Sequence, residues 1–231
     1  MTPQAIDAVV LDVLGTLVDE PSGLRAGIRE LLPQAAAGEV DEALGLWKHH
    51  IETEQQSIVE GGRPFVNSEA LDLEAAQLVA DRFGVTDPVP IATLGTAGQR
   101  LPTWPDSIAG LNRLGDRVPL IGLSNASRAA LLRLNAHAGL RWHQALSAEA
   151  ARTYKPAPEV YRLAVETAAR PPERLVMVAA HAWDLRGAQA LGMRTAYVHR
   201  PVGDPPTGSD RFDWQVQNLS ELADHLHDAA G

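Results

Sequence analysis

A run without a single polar side chain, Ala8-Val9-Val10-Leu11, stops at Asp12 and is followed by Gly15. Successive side chains of a strand point to opposite faces, so a continuously apolar run needs both faces covered, as in a parallel sheet layered between helices. Similar runs recur at Val118–Leu123, Leu175–Ala179 and Thr195–Val198, with Pro119 marking a strand start. Helical patterns separate them. Residues 127–138 follow a Ser127 cap, 158–169 open on a proline, and 182–191 stop before Gly192. Alternating strand and helix predicts an α/β fold with a doubly wound parallel sheet.

The pattern changes between Asp19 and about Arg100, where amphipathic stretches at 24–36, 39–60 and 68–83 occur without a strand. Turn chemistry brackets this segment, Pro21-Ser22-Gly23 on entry and Pro102-Thr103-Trp104-Pro105-Asp106 on exit. The expected organisation is therefore a core of residues 1–19 and 101–231 with a helical cap, 20–100, inserted into it. At 231 residues and 45% hydrophobic composition the chain can bury such a core. A net charge of −9 opposes binding to nucleic acid or an anionic membrane, and an anionic substrate needs a local cluster of positive groups. Absence of cysteine excludes disulfide and thiolate chemistry. With neither a signal-like N-terminus nor a stretch of ~20 apolar residues, a cytoplasmic protein is expected.

In an open α/β sheet, ligands bind beyond the carboxyl ends of the strands. Polar residues stand at such places: Asp12 to Thr16, Ser124-Asn125, Lys155 in Tyr-Lys-Pro, and His181-Ala-Trp-Asp184. Asp12 would project into a cleft between core and cap, where its carboxylate can form an ester intermediate. Gly15 allows a tight turn, and Thr16 can orient the nucleophile or simply cap a helix. Ser124 and neighbouring backbone N–H groups suit an anion at a helix N-terminus, while Asn125 fits either that role or a cap. Lys155 would offset repulsion between Asp12 and an anionic substrate and keep Asp12 ionised. Tyr161 suits an orienting role or a half-buried helix position. Asp184 can hold Lys155, orient a hydrolytic water or ligate a metal, and His181 can position or deprotonate water. Because Lys155 and Asp184 stand outside the apolar runs, their replacement is expected to impair turnover with little loss of folding.

Taken together, Leu11-Asp12-Val13-Leu14-Gly15-Thr16-Leu17, Leu123-Ser124-Asn125, Tyr154-Lys155-Pro156 with Tyr161, and Trp183-Asp184 resemble the haloacid dehalogenase superfamily along essentially the whole chain. The nearest resemblance is to its type II 2-haloacid dehalogenase branch. It implies a Rossmann-like core, an aspartate nucleophile and a possible homodimer. Phosphatases of the superfamily carry a second Asp two residues after the nucleophile to protonate an alkoxide leaving group, and Leu14 stands there. A halide needs no proton. A hard Mg²⁺ also wants more oxygen ligands than Ala179-Ala180-His181-Ala182-Trp183-Asp184 supplies.

The dehalogenase pattern itself is altered at three places. Leu14 replaces a Tyr, Trp47-Lys48 falls where an Arg is usual, and Ala179-Ala180-His181 replaces Ser-Ser-Asn. Lys48 keeps the charge without the planar fork of Arg. The expected catalytic set is Asp12, Thr16, Lys155, His181 and Asp184, with Leu14, Lys48, Ser124, Asn125, Tyr161 and Trp183 facing the substrate. Metal-free hydrolysis of a small 2-haloacid through an Asp12 ester is the leading expectation. A Mg²⁺-dependent phosphatase and a catalytically weak anion- or partner-binding relative are the alternatives.

Overall fold

The computed structural model describes residues 6–228. Strands β1 (Ala8–Leu11), β2 (Leu120–Ser124), β3 (Gln144–Ser147), β4 (Leu175–Ala179), β5 (Arg194–Val198) and β6 (Trp214–Val216) form one sheet in the order β3-β2-β1-β4-β5-β6. Every pairing is parallel. The chain steps outward from β1 through β2 to β3, then crosses back to β4. This reversal between β1 and β4 makes their carboxyl ends the switch point where a doubly wound sheet opens a crevice. The sheet is the Rossmann-like one that the sequence resemblance implied.

Helices α1 (Glu20–Leu31), α2 (Ala37–Val59), α3 (Ser68–Phe83) and α4 (Pro88–Leu94) lie between β1 and β2 in the chain. The remaining helices are α5 (Ser107–Gly115), α6 (Arg128–Ala138), α7 (Pro158–Ala168), α8 (Ala182–Ala190) and α9 (Leu219–Asp228). Local signals act where expected. Ser127 accepts from the Ala130 N–H at the start of α6, and Gly192 adopts φ +89° just after α8; Asn67, which the sequence reading did not single out, caps α3 by accepting from the Ala70 N–H.

Apolar packing divides into three clusters. Val9, Leu11, Val176 and Val178 face one side of the sheet with Leu111, Leu131 and Leu222, while Val10, Met177 and Leu123 face the other with Tyr161 and Leu185. The third cluster joins Leu24 and Ile28 of α1, Leu44 and Trp47 of α2, Val79 of α3 and Ile91 of α4. The first four helices thus have an apolar centre of their own.

Entry to and exit from this helical segment are tied together. Val18 and Thr103 form an antiparallel bridge, the Asp19 N–H donates to the Pro102 carbonyl, and the Ser107 hydroxyl donates to the Leu17 carbonyl at 2.7 Å. Buried Arg200 completes the knot. Its Nε donates to the Thr16 carbonyl at 2.8 Å, and its Nη1 reaches Asp106 at 2.7 Å. Burial opposes ionisation of Asp106, but hydrogen bonds from Arg200 and the Leu219 N–H outweigh it and hold the carboxyl below its usual range.

Several sequence-based bounds shift. The second strand begins at Leu120 rather than Val118, and α1 occupies Glu20–Leu31 rather than 24–36, with Asp19 accepting from the Ser22 N–H as its cap. Edge strands β3 and β6 and helices α4, α5 and α9 have no counterpart in the sequence reading. At the edges the reason is physical: Gln144 and Ala145 are exposed, and an edge strand need not be apolar on both faces.

The Arg200–Asp106 contact yields a pH-dependent expectation. Asp106→Asn leaves the buried guanidinium without its counter-charge and should destabilise the protein at pH 7 by roughly 3 kcal/mol. A depressed folded-state pKa stabilises above the unfolded value of about 4 and ceases to do so as pH falls through the lower, folded one. The stability gap between variant and wild type, measured by urea unfolding, should therefore narrow below about pH 4. A gap constant with pH would refute the assignment.

Candidate active site

Asp12 follows β1 directly, and its N–H still donates to the Val178 carbonyl at 2.9 Å, so the nucleophile-bearing turn begins on the sheet ladder. Gly15 then takes φ +76°, which a side chain would strain, and a Cβ there would lie 2.6 Å from His181 Nε2. Thr16 is held in both directions. Its hydroxyl donates to Asp12 Oδ2 at 2.6 Å and accepts from the Ala180 N–H at 2.9 Å, joining the ends of β1 and β4.

The second Asp12 oxygen meets Lys155. Its Nζ donates to Asp12 Oδ1 at 2.8 Å and to Asp184 Oδ2 at 2.7 Å, and the Tyr161 hydroxyl donates to Asp184 Oδ1 at 2.7 Å. Both acids and the lysine are buried. Burial alone would lower the Lys155 pKa, but the facing charges and hydrogen bonds of Asp12 and Asp184 hold it above the ordinary value. For Asp184 burial acts upward and the Asp12 charge adds to it, with Lys155 and Tyr161 opposing. Lys155 therefore stays an ammonium, and one cation serves two carboxylates.

Above this centre lies a cavity of about 620 Å³ between the sheet edge and the first helices. Asp12, Leu14, Lys155, Asn125, His181, Lys48 and Trp183 all contribute to its wall. Trp183 stands at the mouth, 36% exposed, with its ring centroid 5.9 Å from that of His181. Asn125 ties three segments together: Oδ1 accepts from the Lys155 N–H, and Nδ2 donates to Gln55 on α2.

Other expected residues fall elsewhere. Tyr161 is wholly buried behind Asp184, so the expectation that it faces the substrate is corrected: its hydroxyl is committed to the Asp184 carboxylate and carbonyl. Ser124 is also fully buried, and its hydroxyl accepts from the Ala126 N–H, leaving it out of the cavity wall. Asp184 is absent from that wall too, which suits it to holding Lys155 more than to touching water or metal. Among the described residues no group of three or more His, Asp or Glu is arranged to hold a metal ion, and Asp12 and Asp184 each commit an oxygen to Lys155. This donor set does not suit Mg²⁺, which wants several free oxygens.

Sequence reasoning passed over Glu20, Glu52 and Asp72, which also line the cavity. Each is an unremarkable helix carboxylate in the sequence, and only its face on the folded helix could have marked it.

This arrangement, an aspartate at the end of β1 opposed by a lysine and a second aspartate at the same sheet edge, defines a hydrolase centre built for attack by a carboxylate. The haloacid dehalogenase-like hydrolase family model matches residues 6–192, and the chain belongs to that family. Curated relatives include the (S)-2-haloacid dehalogenase H-109 of Pseudomonas putida, 29% identical over 97% of this chain and 100% of its own. Another, the (S)-2-haloacid dehalogenase of Pseudomonas sp. strain YL, is 27% identical over 98% of this chain and 97% of its own. A crystal structure of an L-2-haloacid dehalogenase matches with TM-score 0.88 at 30% identity, covering 96% of this chain and all of that one. A defluorinating L-2-haloacid dehalogenase also gives 0.88, at 27% identity over 98% and 97% of the two chains.

The lysine's burial revises the expectation that it can be removed without loss of folding. Lys155→Met leaves two buried carboxylates facing each other without a counter-charge and should cost about 3–5 kcal/mol at pH 8. Protonating one carboxylate relieves the repulsion, so the deficit should shrink by pH 5 in denaturant titrations. Unchanged stability at both pH values would contradict the charge arrangement.

Proposed function

We propose that the protein hydrolyses the carbon–halogen bond of a small (S)-2-haloacid, with residues 1–19 and 101–231 as catalytic core and 20–100 as cap. The observation that carries this reading is an Asp12 carboxylate on the cavity floor, aimed by Thr16 and Lys155, with Leu14 where an acid for an alkoxide leaving group would be needed. The named relatives act on substrates of the same class.

An Asp12 oxygen attacks Cα as the carbon–halogen bond breaks, and the halide leaves with the bonding pair. Lys155 offsets the repulsion between the Asp12 carboxylate and the anionic substrate, while Thr16 restricts its rotation. Lys48 and the polar edge of Asn125 receive the substrate carboxylate or the departing halide. Water then attacks the ester carbonyl of Asp12, the ester C–O bond breaks, and a 2-hydroxy acid leaves with inverted configuration. His181 takes the proton from that water and returns it to the departing alkoxide oxygen, since it reaches the cavity beside Gly15 whereas Asp184 is turned away behind Lys155. The proposed reaction uses no cofactor.

No helix among the described residues is long and apolar enough to cross a membrane. A cytoplasmic location and a homodimer complete the proposal, and light scattering on the purified chain tests the dimer.

A single turnover in H₂¹⁸O should place the label in the Asp12 carboxylate before it appears in product, and Asp12→Asn should abolish halide release while retaining the fold. EDTA should leave the rate unchanged. Label entering the first product directly would exclude the ester. His181→Ala should release halide once per site and then stall, with the alkylated Asp12 peptide seen by mass spectrometry. Full turnover by that variant would remove His181 from the hydrolytic step.

A further inference from the structure

One helix supplies much of the cavity roof. Trp47, Lys48, Ile51, Glu52 and Gln55 of α2 recur at helical spacing, so a single face of that helix looks down on the sheet edge. Apolar packing brings this face close without aiming it. Ile58 is buried in the cluster on that side of the sheet, with Ile51 and Val59 beside it, and such contacts are not directional. Most side-chain bonds of α2 stay within the helical segment: Asp41 pairs with Arg25, Glu42 with Arg82, His50 with Glu74 and Glu54 with Arg63. Among the described residues, the hydrogen bond that leaves this helix for the strand-bearing part of the chain is the one between Gln55 and Asn125.

The sense of that bond is forced. A backbone N–H can only donate, so the Asn125 atom 2.9 Å from the Lys155 nitrogen is Oδ1. Nδ2 then faces α2 with nothing but protons to give, and Gln55 meets it with Oε1 at 3.0 Å. Hydrogen bonds therefore run one way, from the backbone of Lys155 through the Asn125 amide to Gln55. The loop that carries the reaction-centre lysine sets the position of a residue on α2.

Lys48 lies about two turns before Gln55 on the same face. Among the described residues it makes no hydrogen bond or ion pair, so its ammonium reaches into the cavity from wherever α2 places it. We propose that Gln55 is a positioning residue for substrate binding: its bond to Asn125 fixes the height and rotation of α2 above the sheet edge, and with them the place where Lys48 meets the substrate carboxylate. The identity of that substrate rests on the dehalogenase reading above, whereas the coupling of Gln55 to Lys48 holds for any small carboxylate.

Gln55→Leu keeps the bulk and removes the acceptor, and Ile58 still seats α2 on the core, so the melting temperature should change little. For 2-bromopropionate, KM should rise about tenfold with kcat within about twofold, the scale of one hydrogen bond acting on binding alone. In a Lys48→Met background the same substitution should raise KM by less than about twofold, because the group it places is gone. A bond that merely stabilised the fold would act alike whatever stands at position 48. Gln55→Met, with an unbranched stem, should repeat both results if leucine disturbs the helix. Calorimetry with propionate, which has no halogen to lose, should show the same pattern in Kd across these variants. Equal losses with and without Lys48, or no loss from either replacement of Gln55, would overturn the role. If propionate binding follows the pattern while no halide is released from 2-bromopropionate, Gln55 keeps its role and the dehalogenase reading falls.

Discussion

One ammonium between two buried carboxylates organises this protein. Lys155 Nζ lies 2.8 Å from Asp12 and 2.7 Å from Asp184, and none of the three has appreciable contact with solvent. Two carboxylates so close cannot both stay ionised without a cation, and a cation so buried cannot stay charged without them. Lys155 stays charged because both carboxylates face it, and their mutual repulsion is offset through it. The three come from the end of β1, the loop before α7 and the first turn of α8, so the contact also fixes those segments relative to one another.

That interdependence explains why so much surrounding structure is devoted to it. The Tyr161 hydroxyl occupies the free Asp184 oxygen, Thr16 occupies the free Asp12 oxygen, and Asn125 holds the Lys155 backbone while reaching α2. Arg200 braces the Thr16 carbonyl from below and links it to Asp106 and the start of α9. A nucleophile whose oxygens are both hydrogen-bonded has little rotational freedom, so attack proceeds from a geometry already established before substrate arrives. The same bracing ties the first helices to the sheet edge at Val18 and Thr103 and at Asn125, so the cavity roof is anchored on two sides.

The reaction centre and the cavity above it follow different electrostatic rules. At the floor every charge is matched. Toward α1 and α3, Glu20 and Asp72 are half-buried in the cavity wall, beside Lys48. Chemistry and recognition are thus divided between the sheet edge, where positions follow from topology, and the helical insertion, whose inward-facing residues can vary without disturbing the nucleophile.

Much of this was legible beforehand. Apolar runs ending in polar residues marked β1, β2, β4 and β5, and because parallel strands end at a common edge, Asp12, Ser124 and His181 had to lie near one another. Asp184 could be assigned to that edge on the same ground, and Lys155 through the family resemblance of Tyr154-Lys155-Pro156. Sequence alone determined the strand-helix alternation, the cap at Ser127, the turn at Gly15 and the identity of the charged centre, all consequences of local side-chain periodicity and of the motifs shared with the family. Only the tertiary structure decided which way each side chain points: Asp184, Tyr161 and Ser124 away from the cavity, Glu20 and Asp72 into it, and β3 and β6 onto the edges. Those outcomes depend on how helices roll against the sheet and on which oxygen is left for which donor, and packing between segments distant in the chain sets both.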